Sequence, residues 1–346
     1  MGTANNRDFQ TAKAAKKDEF YTQLVDIERE IDLYAEHFRD KVVYLNCDDP
    51  RVSNFFRYFA ENFERLGLKK LVSTCYRSED AVSFGTGDSE RAVWLEYTGD
   101  KDGNRVPDAD EIGINLLQGD GDFRSEESVD LLKEADIIVT NPPFSLFREY
   151  MAQLFEYDKQ FLILGNMNAV TYAEIFALFQ SNRVWYGHSI RSGDREFGVP
   201  ADYPLTAAGS RIDENGNKFV RVKGVRWFTN LDHPVRHHDL ELTETYEPSR
   251  YPKFANFDAI NVNKTALIPS DYPGLMGVPI SFMDKFSPEQ FEIIGSSRTL
   301  GVPIASIAPK GSFQPGGPRF YLDNGDGTYR RMYDRIVIRN RRLQVE

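Results

Sequence analysis

From residue 20 to about residue 180 the apolar positions switch back and forth between two periods. Starting at Thr22, a plausible N-cap, Leu24, Ile27, Ile31, Tyr34 and Phe38 recur at helical spacing. Lys41 to Cys47 (KVVYLNC) is an apolar run of strand length that stops at Asp48, Asp49 and Pro50. Ser53 to Leu66 (SNFFRYFAENFERL) returns to helical spacing and ends at Gly67, a good C-cap, and Leu68 to Tyr76 reads as a strand. Further on come a strand at Ile112 to Leu117, a helix at Ser128 to Glu134 and a strand at Asp136 to Thr140 (DIIVT). A helix at Leu146 to Phe155, a strand at Phe161 to Leu164 and a helix at Tyr172 to Phe179 follow. Strand alternating with helix predicts a parallel α/β sheet. Val93 to Tyr97 with the DKDGN turn reads as an acidic hairpin inserted into this series. Beyond Ser181 the pattern changes to short strands rich in Gly, Pro and Tyr, including a hairpin of Arg319 to Leu322 and Tyr329 to Ile338 around DNGDG. The chain therefore divides into a polar arm at 1–17, an α/β domain at 18–235 and a smaller C-terminal region at 236–346.

Composition narrows the class. The 346 residues are 41% hydrophobic and 27% charged, a globular balance. No window approaches 18 uncharged apolar residues and the N-terminus is charged and polar, which predicts neither secretion nor a membrane span. Cys47 and Cys75 are the only cysteines, so a disulfide framework and a thiolate zinc site are excluded, and a reducing cytoplasm fits. His233, His237 and His238 in DHPVRHH lack metal-ligand spacing and read as an exposed loop; no metal is expected.

The formal net charge of -11 argues at first against a polyanionic partner. Its distribution changes that picture. Residues 78–136 hold 17 acidic and five basic side chains, whereas 285–346 hold ten basic and six acidic ones and end in Arg335, Arg339, Arg341 and Arg342. The acidic insertion and the Arg-rich region are expected on different faces.

The residues that carry chemistry are Asn141-Pro142-Pro143-Phe144, at the end of the DIIVT strand and before a helix. Open α/β sheets place their ligand crevice at such strand ends. Two consecutive prolines fix two φ angles and remove two donors, leaving a rigid loop of acceptors. The Asn141 amide oxygen and a neighbouring carbonyl can accept both hydrogens of an amino group, and Phe144 offers a face for a planar base or amide. This arrangement suits methylation of a weakly nucleophilic planar nitrogen, in which positioning and electrostatics do the catalysis.

These segments resemble the amino-group methyltransferases and, within them, the EcoRI-type adenine-specific DNA methyltransferase family. The likeness rests on DEFYT at 18–22, the run from Val42 to Leu71, DIIVTNPPF at 136–144 and VRWFTNL at 225–231, with MGVPISFMDKFSPEQFEIIG at 276–295 in the C-terminal third. It implies a class I methyltransferase, Rossmann-like, with a mixed seven-stranded sheet and helices on both faces, followed by a target-recognition region at 236–346. The implied cofactor is S-adenosyl-L-methionine. Phe20, Tyr21 and Thr22 match the segment that folds over it, Asp48, Asp49 and Pro50 the contact to its methionine part, and Asp122 and Phe123 the contact to its adenine. Asn141, Pro142, Pro143 and Phe144 match the catalytic loop. No Gly-rich turn follows the first strand, and the second ends in Thr74, Cys75 and Tyr76 without an acid for the ribose.

The implied partner is double-stranded DNA, with a cognate restriction endonuclease acting on the same site without a stable complex. A target adenine must leave the stack to reach NPPF, so Trp227 and Phe228 are candidate walls for it, and Arg335 and Arg339 candidate DNA contacts. The acceptor pair alone leaves two other substrates open, RNA and a protein glutamine amide. The fold without the chemistry would be a DNA-binding module.

Overall fold

The computed structural model describes residues 20–47, 53–74, 92–104, 107, 111–201, 203–205 and 209–343. The chain divides into two compact units, Met1–Ala169 with Tyr186–Asp232, and Val170–Trp185 with His233–Glu346. No described helix is long and apolar enough to cross a membrane. The expected arm at 1–17 lies outside the described residues, as does much of the acidic segment, including 78–91.

The first unit opens with β1 (Tyr21–Thr22), α1 (Leu24–Ile31) and a 3-10 stretch over Asp32–Phe38. Thr22 is therefore a strand residue and not the helix cap; Gln23 holds that position. Next come β2 (Val42–Leu45), α2 (Asn54–Glu61), α3 (Phe63–Leu66) and β3 (Lys70–Thr74). The Ser53 hydroxyl accepts from Phe55 N–H at 3.2 Å and starts α2. Gly67, at φ +63°, ends α3 in the left-handed conformation that glycine adopts without a Cβ penalty. The series continues through β4 (Val93–Tyr97), β5 (Gly113–Leu116), α4 (Glu126–Glu134), β6 (Ile137–Thr140), α5 (Phe147–Glu156) and β7 (Gln160–Asn166). After α6 (Ala173–Gln180), which belongs to the second unit, come β8 (Trp185–Tyr186), β9 (Asp194–Val199), β10 (Arg211–Ile212), β11 (Lys218–Lys223) and β12 (Val225–Thr229).

The main sheet has eight strands, ordered β5-β4-β3-β2-β6-β7-β12-β8, and this corrects the expected seven. It is also less parallel than the alternation suggested. Only β3, β2, β6 and β7 run parallel to one another, while β4, β5 and β12 pair antiparallel. The parallel centre follows from the sequence: Val42–Leu45 and Ile137–Thr140 are buried throughout, the continuous apolar pattern of strands covered on both faces. The acidic hairpin is no detached insertion, since β4 pairs with β3 and β5 edges the sheet. In the turn between them Asp100 accepts from Gly103 N–H, Asp102 from Asn104 N–H and Glu111 from Lys101 N–H, which gathers these carboxylates within 4.8 Å. A second, antiparallel sheet of order β1-β9-β11-β10 carries the segment around Tyr21.

The second unit is built on a five-stranded sheet of β13 (Lys253–Phe254), β14 (Phe257–Asn261), β15 (Met276–Pro279), β16 (Phe291–Ser296) and a later strand, Arg335–Asn340. A small ribbon of β17 (Tyr321–Asp323) and β18 (Tyr329–Arg331) precedes that last strand, β19. The expected strand from Tyr329 to Ile338 is thus broken at Met332–Asp334, where the chain passes from one sheet to the other. Phe254, Ala259, Phe320, Leu322 and Val337 pack together in this unit's core, with Phe257 stacked on Phe320 at 5.0 Å. Of the histidines expected in an exposed loop, His237 and His238 are exposed and His233 is buried; Arg236 is buried too, its guanidinium 3.6 Å from the Trp185 ring centroid.

Candidate active site

Strand order reverses between β2 and β6: from β2 the chain moves outward to β3, then returns to the other side of β2 as β6. Such a switch point opens a crevice beyond the carboxyl ends of the two strands. The residues that follow β2 are Asn46 and Cys47, and those that follow β6 are Asn141 to Phe144. Topology brings Asn46 and Cys47 to the same edge as Asn141 to Phe144. Asp48, Asp49 and Pro50 themselves lie outside the described residues.

Asn141 is 6% exposed, and its Nδ2 donates to the Phe20 carbonyl at 2.6 Å. Only the NH2 end of an amide can donate to a carbonyl, so the orientation is fixed and Oδ1 points the other way. Oδ1 is buried and meets no hydrogen-bond donor among the described residues. A buried acceptor left without a donor costs free energy, so Oδ1 calls for a partner such as a ligand or an ordered water. Pro142 is buried beside it. The Pro143 carbonyl accepts from Leu146 N–H at 2.9 Å and starts the 3-10 turn Phe144–Leu146 that leads into α5. Phe144 is half-buried, its ring 6.0 Å from that of Phe20.

Phe20, Tyr21 and Thr22 reach this edge through β1. Tyr21 and Thr22 pair with Gly198 and Phe197, and the Phe20 ring packs on Phe197 at 5.8 Å and on Tyr203 at 6.3 Å. Asn54 Nδ2 donates to the Thr22 carbonyl at 2.7 Å, which ties the strap to α2.

Asp122 and Phe123 stand ahead of α4. Both Asp122 oxygens accept from the Arg124 guanidinium, at 2.9 and 2.7 Å, and this bond holds the Asp122 carboxyl below its ordinary range. Phe123 is buried edge-on against Tyr150 at 5.0 Å.

Three site residues carried no recognised signal. The Tyr150 hydroxyl donates to Asn46 Oδ1, and burial pushes the Tyr150 phenol well above its usual pKa. Gln153 Nε2 donates to the Phe123 carbonyl at 3.0 Å, leaving a buried Oε1 with no donor among the described residues. Tyr150 and Gln153 share one face of α5 at i, i+3 spacing, and a buried tyrosine needs a partner for its hydroxyl; that was the available clue.

Two predicted assignments are corrected. Trp227 and Phe228 are 0% exposed within β12; Trp227 meets Phe55 edge-on at 6.0 Å, and Phe228 packs on Phe147 and Tyr186. They fill the core on either side of the sheet and present no wall to a base. Arg335 is buried, its Nε on Asn261 Oδ1 at 3.1 Å, so it is no phosphate contact; Arg339 is half-exposed, 3.9 Å from Glu292.

The family model described as "Adenine-specific methyltransferase EcoRI" matches residues 8–341. The chain is 49% identical to the Type II methyltransferase M.EcoRI of Escherichia coli, over 99% of this chain and 98% of that one. It is 41% identical to the Type II methyltransferase M.MpnI of Mycoplasma pneumoniae, over 83% and 84%. With the Type II methyltransferase M.MgeORF184P of Mycoplasma genitalium it shares 39% identity, over 83% and 85%. No solved structure matches.

Proposed function

This chain belongs to the EcoRI family of adenine-specific methyltransferases, and on that premise we propose how its residues methylate DNA. It is a Type II DNA methyltransferase acting on adenine, which sets aside RNA, a glutamine amide and a non-catalytic module as its task. The methyl donor is S-adenosyl-L-methionine, which when bound supplies an electrophilic methyl whose C–S bond breaks with its electrons left on sulfur.

The chain's own residues orient the acceptor. A target adenine turned out of the duplex places its 6-amino group at the NPPF loop. Asn141 Oδ1 and the Pro142 carbonyl accept its two hydrogens, which turns the nitrogen lone pair out of conjugation and toward the methyl. As the N–C bond forms, positive charge develops on the nitrogen and the two acceptors stabilise it; one N–H proton then leaves to water. Phe144 stacks on the adenine ring. Phe20 to Thr22, Asp122 and Phe123 hold the cofactor, with Asp48 to Pro50 assigned to its methionine part. The work takes place in the cytoplasm on double-stranded DNA, and the partner implied is an endonuclease of the same site specificity that forms no stable complex with the enzyme.

The observation that carries this reading is the buried, donorless Oδ1 of Asn141 on an amide whose other end is locked to Phe20. The purified protein should transfer tritium from labelled cofactor to duplex DNA and yield N6-methyladenine on digestion. Asn141→Ala should slow transfer by about 10²-fold or more while cofactor binding measured by calorimetry persists. Transfer by Asn141→Ala at the unaltered rate would remove the basis for the assignment.

A further inference from the structure

The second unit displays an aromatic ring that its own packing does not use. Tyr333 is 88% exposed, more than any other large hydrophobic residue among those described. It is not on a loose tip. On one side Met332 N–H donates to the Phe320 carbonyl at 2.9 Å. On the other, Arg335 N–H donates to Ser297 Oγ at 3.0 Å, and Ser297 N–H to the Arg335 carbonyl at 2.8 Å. Asp334, next to the ring, accepts two bonds from Arg298, at 2.9 and 3.0 Å, and one from Arg319 at 3.2 Å. The backbone under Tyr333 is therefore fixed, and binding through its ring orders only a two-torsion side chain.

The surroundings are positive. Burial lowers the Arg319 pKa, and although Asp334 opposes this, Arg298 and Arg331 both repel the Arg319 charge. Arg330, which is exposed, repels Arg335 in the same way. Asp334 is the carboxylate that Arg298 and Arg319 share. Clustered guanidiniums match phosphates, and a rigid protruding ring matches the flat face of a base. A duplex offers both together, and aromatic or apolar side chains that enter it wedge between base steps.

We propose that Tyr333, flanked by Arg298, Arg330 and Arg331, is a duplex-DNA contact of this enzyme, its ring stacking on a base step while the guanidiniums lie along the phosphates. Asp334 is the positioning residue that holds Arg298, with Arg319 taken up by the same carboxylate and by the Pro318 carbonyl. This rests on the DNA reading above and replaces Arg335 as the contact in this part of the chain.

The test compares the full-length protein with Tyr333→Ala and Tyr333→Phe. Each is measured for affinity to a duplex carrying the target sequence, for cofactor affinity by calorimetry and for melting temperature. Tyr333→Ala should bind the duplex about tenfold more weakly. Tyr333→Phe should retain most of the affinity, and cofactor binding and melting temperature should stay unchanged in both. If the unaltered protein methylates the duplex and Tyr333→Ala binds and methylates equally well, the proposal falls while the enzyme reading stands. If the unaltered protein fails to methylate DNA, both fall. A Tyr333-dependent dimer in sedimentation, with DNA affinity unaffected, would assign the ring to a second copy of the chain and overturn the DNA contact.

Discussion

The side-chain amide of Asn141 has two ends with different tasks. Nδ2 is consumed by the Phe20 carbonyl, which fixes the side chain to the segment leading into β1; Oδ1 meets no donor among the described residues, as the proposed acceptor role requires. Asp122 shows the opposite economy, with both oxygens already engaged by Arg124. Because the Arg124 bond lowers the folded-state pKa of Asp122, the ion pair contributes stability above the unfolded value of about 3.9. That contribution is lost as pH falls through the depressed folded value. Asp122→Asn should therefore lower the urea midpoint by a constant amount from pH 7 down to about 5, and the difference should shrink below about 4. A difference that grew on acidification would contradict this account.

At the scale of elements, α1 is joined to the turn after β8 by a buried carboxylate. Glu30 is 0% exposed and accepts from His188 N–H at 2.9 Å, Ser189 N–H at 2.7 Å and the Tyr34 hydroxyl at 3.0 Å. Gly187 makes this approach possible, since a Cβ there would meet the Glu30 carboxylate and lie 2.6 Å from Trp227 Cβ. Gly187→Ala should destabilise the fold by about 1–3 kcal/mol, as overpacking does. Gly317→Ala, which faces open space, should change stability by no more than about 0.5 kcal/mol. Equal urea midpoints for the two variants would refute the close-approach argument. The same elements show what could be read in advance. DIIVT running into two prolines is a buried strand ending in a rigid loop whatever surrounds it, and the Ser53 and Gly67 caps are local as well. The depth of Trp227 and Phe228 is not local: it depends on pairing with Leu164 and Ile163 of β7 and on packing against Phe55 and Phe147. Nor could Arg335 be told from a surface arginine, because Asn261 and Ser297, which receive it, lie in other elements. That the Val93–Tyr97 hairpin belongs to the main sheet is not local either: its pairing with β3 decides.

For the whole molecule the difficulty is a DNA enzyme with a net charge of -11. At physiological ionic strength the Debye length is about 8 Å, so exposed charges farther from the phosphates than that are largely screened. Affinity is then governed by the few cations in direct contact and not by the total. Each phosphate neutralised releases counterion, and the slope of log K against log salt falls by about 0.9 per contact. Arg330 is exposed and Arg331 half-buried beside Tyr333, whereas the Arg335 guanidinium is taken up by Asn261. Replacing Arg330 and Arg331 together by Ala should therefore reduce the magnitude of the slope by up to about 2. Arg335→Ala should leave the slope as it was and lower the melting temperature, because it deprives the Oδ1 of buried Asn261 of the Arg335 donor. Fluorescence anisotropy of a labelled target duplex between about 50 and 200 mM salt separates the two cases. A slope that responded to Arg335→Ala and not to the Arg330 and Arg331 pair would move the DNA-contacting surface off the Tyr333 segment.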